Sequence, residues 1–188
     1  WDIPEDALCF LFAGKLESKK RPLDLLNALD QAARSGVRVH GLVVGSGELQ
    51  NEARALADQR GIPVSFAGFL NQSQIPEAYA AADALVLTSD YRETWGLVVN
   101  EGMVNGLPAI VSEQVGCAHD LVRNGETGAV VPFADVPALA NTIIAWAADR
   151  QLVSQLASQA RLHVASYCIE RATAALDAAI HGILTNQF

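Results

Sequence analysis

Residues 7–47 read ALCFLFAGKLESKKRPLDLLNALDQAARSGVRVHGLVVGSG, and this stretch decides the fold. Ala7–Ala13 is a short apolar run closed by Gly14, the pattern of a strand buried on both faces. Pro22 suits the first turn of a helix over Leu23–Arg34, which Gly36 ends. Val37–Val44 is a second apolar run, closed by Gly45-Ser46-Gly47. Strand, helix and strand in forty residues make one β-α-β unit of a parallel sheet.

The alternation continues outward. A helix over Glu48–Arg60 ends at Gly61, and Val64–Phe66 is a shorter strand. Ser73–Ala82 has helical spacing, with Ile75, Ala78 and Tyr79 on one face. Ala84–Thr88 is the fourth strand, followed by a helix from Trp95 to about Asn105, with Thr94 as its cap and Gly106 past its end. Leu107–Ser112 is a fifth strand, Ala118–Val122 a helical turn and Ala129–Val131 a sixth strand. Then strands cease: Pro137–Ala148, Gln151–Ser166 and Ile169–Leu184 are helical. The pattern predicts an α/β, doubly wound, Rossmann-like parallel sheet of about six strands, with the C-terminal helices packed against one side or edge of it. No repeat, low-complexity stretch or linker interrupts residues 1–188, so one domain is expected.

Composition narrows the function. At 51% hydrophobic and 18% charged residues, the chain is globular and not disordered. A formal charge of -8 argues against general nucleic-acid binding. Cys9, Cys117 and Cys168 form no CxxC or zinc spacing, and read as buried thiols in a reducing, cytoplasmic compartment. No apolar run approaches the roughly 18 residues of a membrane helix. Trp1 in place of an initiator Met predicts a piece of a longer protein.

In open α/β sheets, ligands bind beyond the carboxyl ends of the strands. Lys15, Lys19, Lys20 and Arg21, four of the 13 Lys and Arg residues, follow the first strand. They read either as a phosphate cradle or as a solvated charged turn. Gly45-Ser46-Gly47 is not a dinucleotide fingerprint: it follows the second strand, Gln50 replaces the third glycine, and no acid ends the next strand. It reads as a tight turn with room beside it for a ligand. His40, His119, His163 and His181 are scattered and read as structural.

The segment Glu93-Thr-Trp-Gly-Leu-Val-Val-Asn-Glu101 carries the chemistry. The apolar Leu97, Val98, Val99, Met103 and Val104 describe a buried helix, in which Glu101 needs hydroxyl or amide donors. Gly96 lets something approach the backbone closely. The free N–H groups of Gly96, Leu97 and Val98 suit an anion. One carboxylate ahead of the helix, one within it and amides between them fit a sugar on a diphosphate; the plain alternative is a helix with one satisfied polar residue.

This segment resembles the Glu-x7-Glu motif of the retaining glycosyltransferases called group 1, or family 4. Glu101-Gly-Met-Val-Asn-Gly-Leu-Pro-Ala-Ile-Val-Ser resembles the family's run that follows, and Asn124-Gly125-Glu126-Thr127-Gly128 its Asp-Gly-x-x-Gly turn. Gly14-Lys15-Leu16 with Lys20 resembles its Gly-Arg-Leu…Lys phosphate loop. The resemblance implies the donor-binding half of a two-domain GT-B enzyme, whose N-terminal acceptor domain is absent here. It implies transfer of a hexosyl group from a nucleoside-diphosphate sugar to a glycan, lipid or small molecule. It implies no metal and no cofactor beyond that substrate, and a fragment inactive alone.

Residue by residue, the resemblance puts Gly14, Lys15 and Lys20 at the diphosphate and Glu93 at the donor-sugar hydroxyls near the reaction centre. It puts the amides of Gly96, Leu97 and Val98 at sugar and phosphate, and Glu101 at the ribose. The sequence departs at Lys15, where Arg is commoner, at Arg21, where glycine is usual, at Trp95 for Phe, and at Gly116-Cys117 for Gly-Gly. A nucleotide-sugar epimerase half and a stand-alone sugar-nucleotide-binding module remain as alternative readings.

Overall fold

In a computed structural model, residues 1–184 are described. Six strands form one parallel sheet: β1 (Leu8–Ala13), β2 (Val39–Val44), β3 (Val64–Gly68), β4 (Ala84–Leu87), β5 (Ala109–Ser112) and β6 (Gly128–Val131). Their order is β3-β2-β1-β4-β5-β6. The winding reverses between β1 and β4, so a crevice opens beyond the carboxyl ends of those strands.

Strands β1, β2, β4 and β5 are buried at every position, on both faces of the sheet, which is why they stand out as apolar runs. Successive β1 side chains enter opposite layers. Leu8, Phe10 and Phe12 pack with helices α1 (Pro22–Arg34), α2 (Gln50–Arg60) and α6 (Val136–Ala148). Cys9, Leu11 and Ala13 pack with α3 (Ile75–Ala81), α4 (Leu97–Val104), α5 (Ala118–Leu121) and α7 (Arg150–Val164). Burial pushes the Cys9 thiol up to about 12, so it is an inert core group. Prolines stand in the first turns of α1, α3 and α6, where their missing N–H costs nothing. Asp135 and Asp149 cap α6 and α7 by accepting from Ala138 and Leu152 N–H at 2.9 Å each.

Two local expectations are corrected. Thr94 caps nothing: α4 starts at Leu97, with Gly96 left-handed at its N-cap and no side-chain cap. The residues ahead of it are held out of the helix by the loop after β5, since Gly116 and Cys117 N–H donate to the Glu93 and Trp95 carbonyls at 3.0 and 2.9 Å. The C-terminal helices also do not all pack on the sheet. On α8 (Ile169–Leu184) no residue is buried, and Ile169, Leu176, Ile183 and Leu184 are more than half exposed. Helices α6 and α7 already cover the layers that α8 would have to join.

Candidate functional site

The loop after β1 is built on the turn after β2. Gly14 and Leu16 N–H donate to the Val44 and Ser46 carbonyls at 2.9 and 3.0 Å, and Leu49 N–H returns to the Leu16 carbonyl at 2.9 Å. A Cβ on Gly45 would run into the Gly14 carbonyl, and one on Gly47 into that of Leu16. The Gly-x-Gly pair is therefore there for loop-on-loop contact, while its open side borders a cavity.

The end of β4 holds the other side of the same loop. Thr88 Oγ donates to the Lys20 and Arg21 carbonyls at 2.8 and 3.0 Å, and Asp90 N–H to the Lys19 carbonyl at 2.9 Å. Arg21 stands left-handed, at φ 49° and ψ 49°. That conformation is natural to glycine and accounts for the resemblance's glycine at this position. Arg21 compensates through Asp24, at 2.6 Å, and the Phe133 ring, at 5.0 Å. Asp90, paired with Arg92, is held below the usual carboxylate range by that hydrogen bond.

An open cavity of about 1150 Å³ lies at the carboxyl ends of β1, β2 and β3, walled by α3 and α4. Gly14, Lys15, Val98 and Glu101 line it. Lys15 is exposed and makes no ion pair among the described residues. Lys20 and Glu93 stand beside the cavity, joined as an ion pair, with side chains 14% and 16% exposed. Ser89 Oγ also donates to Glu93, at 3.3 Å. Gly14 leaves space for Lys20 to lie across it: a Cβ there would be 3.1 Å from Lys20 Cδ. Gly96, Leu97 and Val98 form the first turn of α4, and their N–H groups meet no acceptor among the described residues.

Two readings of this helix are revised. First, α4 is not enclosed. Val99, Gly102 and Met103 are buried, but Leu97 is 67% exposed, Val104 lines the cavity and Glu101 is exposed. A short helix beside an open crevice presents apolar residues to that crevice. Glu101 nevertheless has a donor, because Tyr79 Oη donates to its Oε2 at 2.6 Å. Spacing alone puts Tyr79 on one face of α3 with Ile75 and Ala78; nothing in the sequence distinguishes a core tyrosine from one whose hydroxyl surfaces in a cavity.

Second, what approaches Gly96 is protein. Its φ is 93°, and an added Cβ would stand 2.9 Å from Leu87 Cδ2 and 3.1 Å from Val115 Cγ1. Gly96→Ala is therefore expected to lose about 2–4 kcal/mol of stability, from left-handed strain and overpacking together. Urea unfolding checks this: the midpoint should fall with the slope unchanged, and an unmoved midpoint would remove the packing argument. Cys117 lies in the same contact layer. It is fully buried with its Sγ toward the Gly96 carbonyl, and burial raises its thiol to about 12. His40 bonds Ser65 Oγ and His163 the Asp120 carbonyl, both at 2.9 Å, in the structural roles expected. No helix among the described residues is long and apolar enough to cross a membrane.

Comparison with known proteins agrees with this geometry. Residues 1–163 match the family described as glycosyl transferases group 1. A D-inositol 3-phosphate glycosyltransferase of Streptomyces bingchenggensis is 34% identical over 184 residues, which is 92% of this chain and 40% of that protein. The chain thus spans about two fifths of the length of such curated relatives. Among solved structures, Anabaena HepE in complex with UDP and glucose superposes with a TM-score of 0.76 at 26% identity, over 96% of this chain and 49% of that one. WaaG, a glycosyltransferase involved in lipopolysaccharide biosynthesis, gives 0.75 at 25% identity, over 87% and 44%. The Glu-x7-Glu segment, the six-stranded parallel sheet and the cavity at its carboxyl edge therefore sit in a chain that belongs to the group 1 glycosyl transferases.

Proposed function

We propose that this chain is the donor-binding domain of a retaining glycosyltransferase. It forms one half of a GT-B enzyme and holds the nucleoside-diphosphate sugar whose hexosyl group is passed to a glycan, lipid or small-molecule acceptor. The observation that carries the reading is the cavity itself, where Lys15, unpaired among the described residues, the carboxylate of Glu101 and the open first turn of α4 border one space of about 1150 Å³. A cation and a helix N-terminus suit the diphosphate. A fixed carboxylate suits the ribose hydroxyls, and Glu93, next to Lys20 at the strand end, suits the sugar. UDP and glucose with the similar HepE support a nucleotide sugar as ligand.

On this reading the acceptor site lies on a preceding domain, the isolated chain is inactive, and the enzyme works in the cytoplasm. Titrating UDP-, GDP- and ADP-sugars against the chain by thermal shift tests the reading and names the base; a chain stabilised by none of them would refute it.

Binding should need no divalent metal. Glu101 is the one carboxylate among the described residues lining the cavity, Tyr79 occupies one of its oxygens, and Glu93 is engaged by Lys20. An Mg or Mn ion held between protein and diphosphate would want free carboxylates there. Calorimetry in chelator should therefore match calorimetry with Mg. Binding abolished by chelator and restored by Mn would show that a metal bridges the phosphates.

A further inference from the structure

Tyr79 is 3% exposed, with its ring in the apolar layer between α3, α4 and the sheet. Its hydroxyl, 2.6 Å from Glu101 Oε2, lies at the cavity wall. Burial, and then the hydrogen bond to Glu101, push its pKa well above that of an ordinary tyrosine, so it keeps its proton and always donates. Glu101 itself is exposed on its helix, where a carboxylate with three rotatable bonds would otherwise sample many rotamers. One short, charge-assisted bond removes that freedom. It occupies Oε2 and leaves Oε1 with no donor among the described residues. The phenolic oxygen keeps a lone pair as well. Two acceptor sites, one on each partner, therefore stand side by side at the cavity wall.

We propose that Tyr79 is a positioning residue that aims Glu101 at a vicinal diol, the carboxylate taking one hydroxyl and the phenol oxygen the other. This rests on the donor-site reading and adds a rule to it: discrimination for an intact ribose belongs to the Tyr79–Glu101 pair, and not to Glu101 alone. Tyr79→Phe keeps the ring and removes both the aim on Glu101 and the phenol's own acceptor.

The test is calorimetry on the chain with three probes: the nucleoside diphosphate among UDP, GDP and ADP that binds best, its 2′-deoxy counterpart, and inorganic pyrophosphate. Tyr79→Phe should weaken the nucleoside diphosphate about tenfold, the size of one charged hydrogen bond, and leave pyrophosphate within about twofold. The penalty for the missing 2′-hydroxyl, about tenfold in the wild type, should shrink to under about threefold in the variant. In a Glu101→Gln background, Tyr79→Phe should add less than about twofold, because the two residues act as a unit. Glu101→Asp keeps the charge but withdraws it from Tyr79. It should lose the same diol preference, and carries the test should Tyr79→Phe fail to fold.

Wild-type affinity in Tyr79→Phe, equal weakening of pyrophosphate, or an undiminished 2′-deoxy penalty in either variant would overturn the inference. A wild-type chain that binds none of the three nucleotides sinks the donor-site reading and this inference with it. Weakening by Glu101→Gln but not by Tyr79→Phe or Glu101→Asp sinks the inference alone.

Discussion

Glu93→Gln, made in the enzyme that carries this chain, should lower kcat by about two orders of magnitude or more while donor KM moves much less. Glu93 projects from the loop after β4, beside the loop after β1 and ahead of α4. Retaining glycosyl transfer passes through a transition state with oxocarbenium character, in which hydrogen bonds to sugar hydroxyls strengthen. A fixed carboxylate next to that developing positive charge stabilises it electrostatically without forming a covalent bond. Gln keeps the size but loses the charge, and exchanges one acceptor oxygen for a donating NH2.

The Lys20–Glu93 pair sharpens the expectation. Without the charge at residue 93, Lys20 is left with a fuller attraction for the diphosphate, so donor affinity should hold or improve as turnover falls. Glu101→Gln should do the opposite, weakening donor binding with a small effect on kcat, because the partner proposed for it, the ribose, takes no part in bond breaking. Steady-state kinetics with varied donor separates the two. A Glu93 variant impaired in KM and a Glu101 variant impaired in kcat would exchange the roles assigned here.

Replacing Lys15 and Lys20 together by Ala should weaken nucleoside-diphosphate binding by a hundredfold or more, since a hydrogen bond to a charged group contributes roughly 1.5–3 kcal/mol. Lys15 borders the cavity with no acidic partner among the described residues, so its whole charge is available to a ligand. Lys20 is less free, being engaged with Glu93. Its removal has a second effect, because it leaves the Glu93 carboxylate unneutralised beside an anion. The single Lys20→Ala variant should therefore lose more affinity than the charge of one exposed lysine implies, and Glu93→Gln should restore part of it. Wild-type affinity should fall as salt rises, and the dependence should flatten in the double variant. Calorimetry that returned unchanged affinity for the double variant would remove both lysines from the phosphate site.

Much of the fold is legible along the chain because its cause is local. β1 is apolar at every position since both of its faces are covered, so it stands out without any partner being known. The prolines at 22 and 137 mark helix starts because their fixed φ and missing N–H suit only the first turn. Boundaries were less legible where another segment sets them. β3 runs on to Gly68, past its apolar run, because the ladder with β2 shifts at Val43 and Val44 and Gly45 N–H reaches the Gly68 carbonyl at 2.7 Å. α4 starts later than its spacing suggests because the loop after β5 binds residues 93–95 first.

By itself the sequence determined the β-α alternation, the two-sided sheet, and the placing of Gly14, Lys15, Lys20 and Glu93 at strand ends and helix starts, with Glu101 inside the helix that follows β4. These follow from hydrophobic periodicity and from the polarity of peptide groups at element ends, which act within a few residues. Only the tertiary structure decided which of those residues meet. Lys20 and Glu93 lie 73 residues apart and become an ion pair because β1 and β4 are neighbours at the switch in strand order. Tyr79 reaches Glu101 because α3 and α4 stand on the same face of the sheet. Gly96 is required by Leu87 and Val115, which no spacing brings near it, and the apolar residues of α8 stay exposed because nothing within the described chain packs over them. Pairings of that kind depend on strand order and layer packing, and these come from the summed burial of the whole sheet, not from any local stretch of residues.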